Sequence, residues 1–505
     1  MMEMGPGSVS GVSWGAHRRR PSFSLPTPTL PTRLLTIGVL RGSWHEMGVQ
    51  YGQRTGGDIA QHWDVDWEDR VIACTGQWAQ TRTLSARQHY RVRYLERSWQ
   101  ELEALSPQLC EFMRGVAQGA AAELAAAHHG RDVPDHLKVL YLNESDAAVH
   151  PSWDFEADRP GPQAPEVAGA DTYVDDHDNQ GDGCNGFWIS GSRTENGHAL
   201  AQRAVQAGMN RSVTVVSYVA VPDDPAAQTF WAVGRAGCLG GLGAMMNESG
   251  VCVLTSGSQG GAVDETLAPG IKDFILGAYG VIFHDSAAAA ARGVTVGPAS
   301  YREATGRATV LRFRGANLVF GDPTGAVAVE SNARHFWLRG AGEHGCPEAA
   351  DEGDQLVIAN HFVGTASYDE NACLEADQPM SGYVPGRAGS ASRYWTGQWW
   401  LRHRTEPMTV ADAKALAVTH DSYDRDGTLQ PVDPVTGRQL QADETWCAHK
   451  FDTGAVDQPL GSDGNNITTV YDLQARRAWF VLGWPCHYPA WHMEWNQVDL
   501  DDYRR

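Results

Sequence analysis

The chain has 505 residues, of which 42% are hydrophobic, enough to bury a sizeable core. Its 40 Lys and Arg residues stand against 61 Asp and Glu residues, and the net charge of −21 disfavours nucleic acid or an anionic membrane as a partner. Nine cysteines without regular spacing do not make a disulfide framework, so we expect a reducing, cytoplasmic location.

Residues 1–38 are predicted to be a disordered leader. Arg18, Arg19 and Arg20 resemble the start of an export signal, but a Pro-, Ser- and Thr-rich stretch follows where such a signal needs an apolar segment. Residues 39–150 place charged and apolar side chains at helical spacing, which predicts a helical region. No run approaches the roughly 18 apolar residues of a membrane span, so we expect a soluble protein.

Residues 151–183 differ abruptly in composition from the helical region. Prolines, glycines and an acidic run predict an exposed linker that ends at Cys184. Beyond it, helices are predicted at 271–283, 286–292 and 413–419, the last after a capping box of Thr409 and Asp412. Short β-branched and aromatic runs between turn residues predict strands at 187–190, 213–221, 229–233, 251–255, 310–313, 317–320, 326–330, 467–471 and 478–484. This order predicts an α+β sandwich over residues 184–505.

Cys184 stands where a nucleophile that cleaves its own chain would stand, directly after Gly183. Its thiol can attack the Gly183 carbonyl to give a thioester that water resolves, and a residue without a Cβ tolerates the strained backbone that this attack requires. The released α-amino group, with a reference pKa of about 7.7–8.0, can serve as general base for its own thiol. The alternative is an inert packed cysteine.

A series of short motifs runs along the chain in a distinctive order. They are Gly-Ser-Trp-His-Glu-Met-Gly at 42–48, Asp-Gly-Cys-Asn-Gly-Phe at 182–187, Asn-Gly-His-Ala-Leu-Ala-Gln-Arg at 196–203, Gly-Ala-Met-Met-Asn-Glu-Ser-Gly-Val at 243–251, Ile-Ala-Asn-His-Phe at 358–362, Ser-Ala-Ser-Arg-Tyr at 390–394 and Cys-Ala-His at 447–449. Together they resemble the cysteine N-terminal-nucleophile hydrolases of the acyl-coenzyme A:6-aminopenicillanate acyltransferase family, with choloylglycine hydrolases as more distant relatives.

The resemblance implies a four-layered αββα sandwich, with residues 39–150 as a pro-region and residues 184–505 as the catalytic domain. It implies that Cys184 is the nucleophile and that the side-chain amide of Asn360 donates into an oxyanion hole. Arg203 and Arg393 correspond to arginines near the nucleophile, where a cation favours the thiolate. The positions implied to contact substrate are Asn247, Gln206 and Ser392.

One position departs from the resembled pattern. The relatives carry an aspartate that holds the α-amino group, and the candidate positions in this chain are Ala204, Val205 and Gln206. Gln206 can accept a hydrogen bond from the amine, but it brings no charge. The orientation of the amine is therefore an open question at the level of sequence.

The sequence thus predicts an enzyme that hydrolyses or transfers an acyl group at a carbon–nitrogen amide bond through a Cys184 thioester, with neither a cofactor nor a metal. The substrate is a small-molecule or peptide amide, with acyl-coenzyme A as donor if the reaction is a transfer, and the two cleaved fragments are expected to stay associated. Two alternatives remain: a non-catalytic binding or scaffold protein of the same fold, and a phospholipase B-like lipid-ester hydrolase.

Single residues also have plainer interpretations. Asn360 is typical of a capped strand end as well as of a catalytic amide. Arg393 fits a surface arginine stacked on the tryptophans that follow it. A calcium loop beginning near residue 176 is rejected because Phe187 stands where a bidentate glutamate is required.

Overall fold

The computed structural model describes residues 33–72, 83–144, 153–154, 159–160, 184–206, 214–240, 244–257, 268–313, 315–331, 333, 336–342, 354–360, 363, 388–419, 421–423, 427–429, 446–447, 465–482 and 495–503. It is an α+β structure with two large β-sheets, which agrees with the predicted α+β class. Gly183, His361 and most of the predicted linker lie outside the described residues. None of the described helices combines the length and apolar character needed to cross a membrane.

The helical region begins with caps that the local sequence explains. Ser43 accepts a hydrogen bond from the Glu46 amide, and the Glu46 side chain accepts one from Ser43 in return. Thr83 and Ser106 cap the next two helices, since the side chain of each accepts a hydrogen bond from a backbone amide in the first turn. The helices are α1 (Trp44–Trp67), α2 (Leu84–Leu105), α3 (Pro107–Gly119), α4 (Ala121–Ala126) and α5 (Asp135–Glu144), with a π-helical turn at Glu68–Ile72.

The first large sheet has eight strands, and its central strands are buried on both faces. Its strands are, in spatial order, β1 (Leu34–Gly42), β6 (Val215–Pro222), β7 (Phe230–Arg235), β8 (Ala244–Asn247), β9 (Cys252–Gly257), β10 (Ala316–Gly321), β11 (Ala326–Ser331) and β12 (Phe336–Gly340). The strand β1 pairs with β6 in parallel, and the other neighbours pair antiparallel.

The second large sheet has six strands and begins with the segment that follows Cys184. Its spatial order is β13 (Gln355–Ile358), β4 (Asn185–Ile189), β5 (Leu200–Gln206), β14 (Asn465–Asp472), β15 (Arg477–Leu482) and β16 (Asn496–Asp499). A separate pair is formed by β2 (Trp153–Asp154) and β3 (Arg159–Pro160). The remaining helices are α6 (Asp273–Phe283), α7 (Ala287–Thr295), α8 (Ala299–Thr305), α9 (Ala388–Arg402) and α10 (Val410–Ala417).

Alternation along the strands distributes the apolar side chains between separate cores. In β6, Val216, Tyr218 and Ala220 join a core with α1, α3, α5 and α6, whereas Val215, Val219 and Val221 join a core with the second sheet. In the second sheet, Phe187, Leu200 and Val357 pack instead with residues of α9 and α10. Residues of the two sheets therefore share one core, and other residues of each sheet pack with helical residues.

The N-terminal residues belong to the first sheet and its core. The boundary predicted at residue 38 falls inside β1, which pairs with β6 from Leu34 to Gly42. Trp63, Trp67 and Tyr141 lie in the same core as the outer face of the first sheet. The helical region is thus packed as part of the body of the fold.

Most of the predicted strands and helices after Cys184 are confirmed, with ends shifted by a few residues. The capping box of Thr409 and Asp412 is also confirmed. The strand predicted at 310–313 is wrong, because Arg312 makes only an isolated bridge to Ile271 while its apolar neighbours are buried. A short apolar run in the sequence is typical of a buried strand, but here the run belongs to a buried segment without regular structure.

The helices α1 and α3 cross with their backbones in contact at four glycines. A Cβ added at Gly48 or Gly52 would lie 2.1 Å from Phe112 O or 2.3 Å from Val116 O, respectively. Gly115 and Gly119 on α3 meet the α1 backbone at 2.2 and 2.4 Å in the same way. Each pair of glycines is four residues apart, so both lie on one helix face.

We expect Gly52→Ala to lower the free energy of unfolding by about 1–3 kcal/mol, because the added methyl forces the two helices apart. Gly57→Ala on the same helix is the matched control, since a Cβ there meets nothing within 4 Å and alanine favours a helix by about 1 kcal/mol. Urea unfolding of both variants measures the difference. Equal unfolding midpoints would contradict the close crossing.

Candidate active site

Strand register places Cys184 between two neighbouring strands of the second sheet. On one side, the pair of Gly186 with Ile358 extends two residues further to place Asn360 opposite Cys184. On the other side, the pair of Asn185 with Ala204 extends one residue further to place Val205 opposite Cys184. Cys184 is buried and packs with Val205 and with Phe274, the second residue of α6. Its immediate surroundings are therefore partly apolar.

The backbone nitrogen of Cys184 is held by the side chain of Asn360. It donates to Asn360 Oδ1 at 2.9 Å, and Nη2 of Arg393 donates to the same oxygen at 2.7 Å. The Asn360 amide in turn donates from Nδ2 to the Gly257 carbonyl at 2.8 Å. Both Asn360 and Arg393 are buried. Four residues that are distant in the sequence thus form one hydrogen-bonded network.

The orientation of the Asn360 amide follows from its partners. The guanidinium of Arg393 can only donate and the carbonyl of Gly257 can only accept. Turning the amide over would therefore oppose donor to donor on one side and acceptor to acceptor on the other. Asn360 thus presents its amide oxygen to the Cys184 nitrogen. Donation into an oxyanion hole stays a prediction.

Arg203 brings a second buried cation to the site. It stands on β5 opposite Gly186, two residues after Cys184, and its Nη2 donates to Thr255 Oγ1. Burial lowers the pKa of Arg203, and the charge of the Cys184 thiolate is the strongest influence opposing that shift. The guanidinium is therefore within electrostatic range of the sulfur. A cation so placed favours the thiolate over the thiol.

The start of α6 adds groups that sequence reasoning missed. Lys272 and Asp273 are both buried and form an ion pair at 3.4 Å, and Phe274 packs in one cluster with Cys184. The charge of Asp273 also raises the pKa of Arg203, after the larger effects of Cys184 and Tyr471. A Lys-Asp pair just before an apolar run is the only sequence signal of this contact, and it is typical of many surface helices.

The predicted substrate-contacting positions have separate locations. Asn247 uses its side chain on backbone groups alone, donating to Val281 O and His284 O and accepting from the Ser249 and Val251 amides. It precedes the start of β9, whereas Gly257 ends that strand, about 16 Å away for a six-residue strand. Asn247 therefore holds a turn at the opposite end of β9 from Gly257, and its contact with substrate stays a prediction.

Ser392 and Gln206 lie next to residues of the site. Ser392 precedes Arg393 on α9, and its hydroxyl hydrogen-bonds the Ser422 hydroxyl. Gln206 ends β5 and its backbone pairs with Asn465, while its side chain lies outside the described residues. Whether either residue contacts substrate stays a prediction.

The plainer interpretation of Arg393 as a surface arginine is wrong. Its exposed fraction is 4%, and its guanidinium bonds Asn360. The nearby aromatic stack forms without it, since Trp399 stacks on Tyr423 with ring centroids 3.8 Å apart. In the part of the chain that the structure describes, no group of three or more His, Cys, Asp or Glu side chains is placed to hold a metal ion.

The chain matches no protein-family model and no curated protein. Among solved structures it is similar to a mutant of conjugated bile acid hydrolase from Clostridium perfringens, with 12% identity, a TM-score of 0.31, and coverage of 64% of this chain and 93% of that one. It is also similar to penicillin V acylase from Agrobacterium tumefaciens, with 13% identity, a TM-score of 0.29, and coverage of 63% and 86%. These scores are too low for either likeness to establish a fold or an activity.

We expect Arg203→Met to shift the pH dependence of Cys184 alkylation by iodoacetamide upward by about one pH unit, because loss of a nearby cation disfavours the thiolate. Mass spectrometry of the Cys184 peptide follows the reaction from pH 5 to 9. Arg91→Met, which removes a buried arginine over Tyr141 in the helical region, should leave the curve unchanged. An unshifted curve for Arg203→Met would remove this arginine from the site.

Proposed function

We propose that the protein is a self-processing cysteine amidohydrolase or acyltransferase whose nucleophile is Cys184. The observation that carries the proposal is the hydrogen bond of 2.9 Å from the Cys184 nitrogen to Asn360 Oδ1, backed by Arg393. In a continuous chain this bond satisfies the buried amide of Cys184. After cleavage at Gly183, the same oxygen is in place to accept a hydrogen bond from the new α-amine.

In the maturation step, the Cys184 sulfur attacks the carbonyl carbon of Gly183. The peptide nitrogen leaves as the Cys184 amine, and the acyl group of Gly183 passes to sulfur as a thioester. Water then attacks the thioester, which releases the Gly183 carboxylate and regenerates the thiol. The amine so formed remains beside Asn360 Oδ1, which accepts a hydrogen bond from it.

In the catalytic step, the α-amine takes the proton of the Cys184 thiol, and the thiolate attacks the substrate amide carbon. The proton passes to the leaving nitrogen, so the amine product departs and an acyl-thioester remains. Water resolves this acyl-thioester in a hydrolysis. In a transfer, the thiolate instead attacks the thioester carbon of acyl-coenzyme A, the proposed donor, and coenzyme A leaves as its thiol. An acceptor amine then attacks the acyl-thioester, forms the new amide bond and regenerates the Cys184 thiol. Arg203 favours the thiolate form throughout.

The proposed fold is the four-layered αββα sandwich of N-terminal-nucleophile hydrolases. Its support is the order of the cores: helices against the first sheet, sheet against sheet, and the second sheet against α9 and α10. The proposed substrates are small-molecule or peptide amides. Phe274 and Val205 beside the sulfur favour an apolar group on the acyl side of the scissile bond.

The purified protein should consist of two fragments, residues 1–183 and 184–505. N-terminal sequencing and intact-mass measurement test this without knowledge of the substrate. Cys184→Ala should give one intact chain, because the attacking sulfur is gone. Cys110→Ala is the control: this buried cysteine lies on α3, and its loss should leave cleavage unchanged.

Two results would contradict the proposal. One is cleavage that persists in Cys184→Ala, which would assign the chemistry to another group. The other is an active wild-type protein that remains a continuous chain. Hydrolysis of a panel of matched amides and esters then separates an amidase from the lipid-ester alternative, and no turnover of either, with an intact chain, favours the binding protein.

After cleavage, the two fragments should elute together in native buffer and separate only in denaturant. The reason is that β1 pairs with β6 along its length, and helices α1, α3 and α5 share a core with the first sheet. Gel filtration followed by mass spectrometry of the peak checks this. Release of fragment 1–183 without denaturant, with activity retained, would assign it the role of a removable pro-segment.

A further inference from the structure

A row of polar side chains crosses the inner face of the first sheet at the level of the site. Ser256 of β9 pairs with Asn317 of β10, and Asn317 pairs with Glu330 of β11. All three are buried. We call Ser256, Asn317 and Glu330 the polar row.

The polar row interrupts a face that is otherwise apolar. Two residues away on the same strands and the same face, Leu254, Val319 and Ala328 belong to the core between the two sheets. Placing three polar side chains beside such a core costs free energy unless each finds a hydrogen-bond partner. Their partners therefore indicate what the row is for.

The polar row binds the backbone on both sides of Asn360. Ser256 Oγ and Asn317 Nδ2 donate to the Ala359 carbonyl at 2.9 and 2.8 Å. Glu330 Oε1 accepts from the Val363 amide at 3.1 Å. The first sheet thus holds the residue before Asn360 and the backbone three residues after it.

Glu330 is itself held by a buried ion pair. Nε of Arg339 donates to Glu330 Oε1 at 2.9 Å, and Nη2 of the same arginine donates to the Val357 carbonyl of β13 at 3.3 Å. Burying such a pair brings little net stability, because desolvation cancels much of the attraction. The pair of Glu330 and Arg339 is better explained by its directional hydrogen bonds, which fix the neighbouring backbone segment.

We infer that the polar row is a set of positioning residues: it fixes the backbone around Asn360 so that Asn360 Oδ1 meets the nitrogen of Cys184. An apolar face would let this segment slide, since dispersion contacts carry no direction, whereas hydrogen bonds to Ala359 and Val363 define one placement. The inference rests on the proposed function, because it assigns the row to the nucleophile's amine.

The test compares Asn317→Ala with Val319→Ala. Both truncate a buried side chain of β10 on the same face, but only the first removes a donor to Ala359. Asn317→Ala should slow Cys184 alkylation by iodoacetamide at pH 7 about ten-fold, the size of coupling found between contacting residues. Val319→Ala should change that rate less than two-fold, which is within the small effects expected of packing away from the site.

A double-mutant cycle separates positioning from a general structural effect. If the row acts through Asn360, Asn317→Ala should have no further effect on alkylation in the Asn360→Ala background. If it acts only on stability, its effect should add to that of Asn360→Ala. Circular dichroism on each variant establishes that the compared proteins are folded.

The outcomes distinguish this inference from the proposed function. Wild-type Cys184 that reacts no faster than Cys110, whose pKa burial raises, overturns both. Two results overturn the inference about the polar row alone, provided that wild-type Cys184 is reactive. One is an alkylation rate that Asn317→Ala leaves unchanged, and the other is additive effects of Asn317→Ala and Asn360→Ala on that rate. The expected result is that Asn317→Ala slows Cys184 alkylation about ten-fold in the wild-type background and has no effect in the Asn360→Ala background.

Discussion

The contact between the Cys184 nitrogen and Asn360 Oδ1 is the interaction on which the rest of the site depends. It exists because β13 and β4 pair in one register, and each chain runs two residues past the last pair to meet at Cys184 and Asn360. A slip of one residue would turn the Asn360 side chain to the other face. Arg393 then adds a charged donor to the same oxygen, which strengthens the network because charge-assisted hydrogen bonds are the stronger kind.

Each sheet supplies a different part of the site. The second sheet carries Arg203 and begins just after Cys184. The first sheet contributes the hydroxyl of Thr255, which accepts from Arg203, and the carbonyl of Gly257, which accepts from Asn360. The sheets meet through an apolar core, and the polar contacts beside it are directional. The site is thus assembled only when the two sheets pack in the correct relative position, which links its geometry to folding of the whole described body.

Bulk charge describes the surface of this protein and not its reactive centre. The chain carries a net charge of −21, yet the groups around the sulfur include two buried arginines, Arg203 and Arg393. Buried cations are costly to desolvate, and burial lowers the pKa of Arg203 for that reason. Neighbouring negative charge offsets the cost, and a thiolate at Cys184 is one such charge. A cation buried beside the sulfur therefore favours the thiolate over the thiol.

The sequence by itself determined the features that depend on residues close together in the chain. Most strands after Cys184, the capping box at Thr409 and the α+β class follow from alternation and capping over a few residues, and the structure bears them out. Tertiary structure decided the rest. The partners Cys184 and Asn360 lie 176 residues apart, and the turn held by Asn247 and the burial of Arg393 appear only once distant strands have paired. Local pattern records which face of an element is apolar, whereas the register and packing of distant elements decide which polar groups meet.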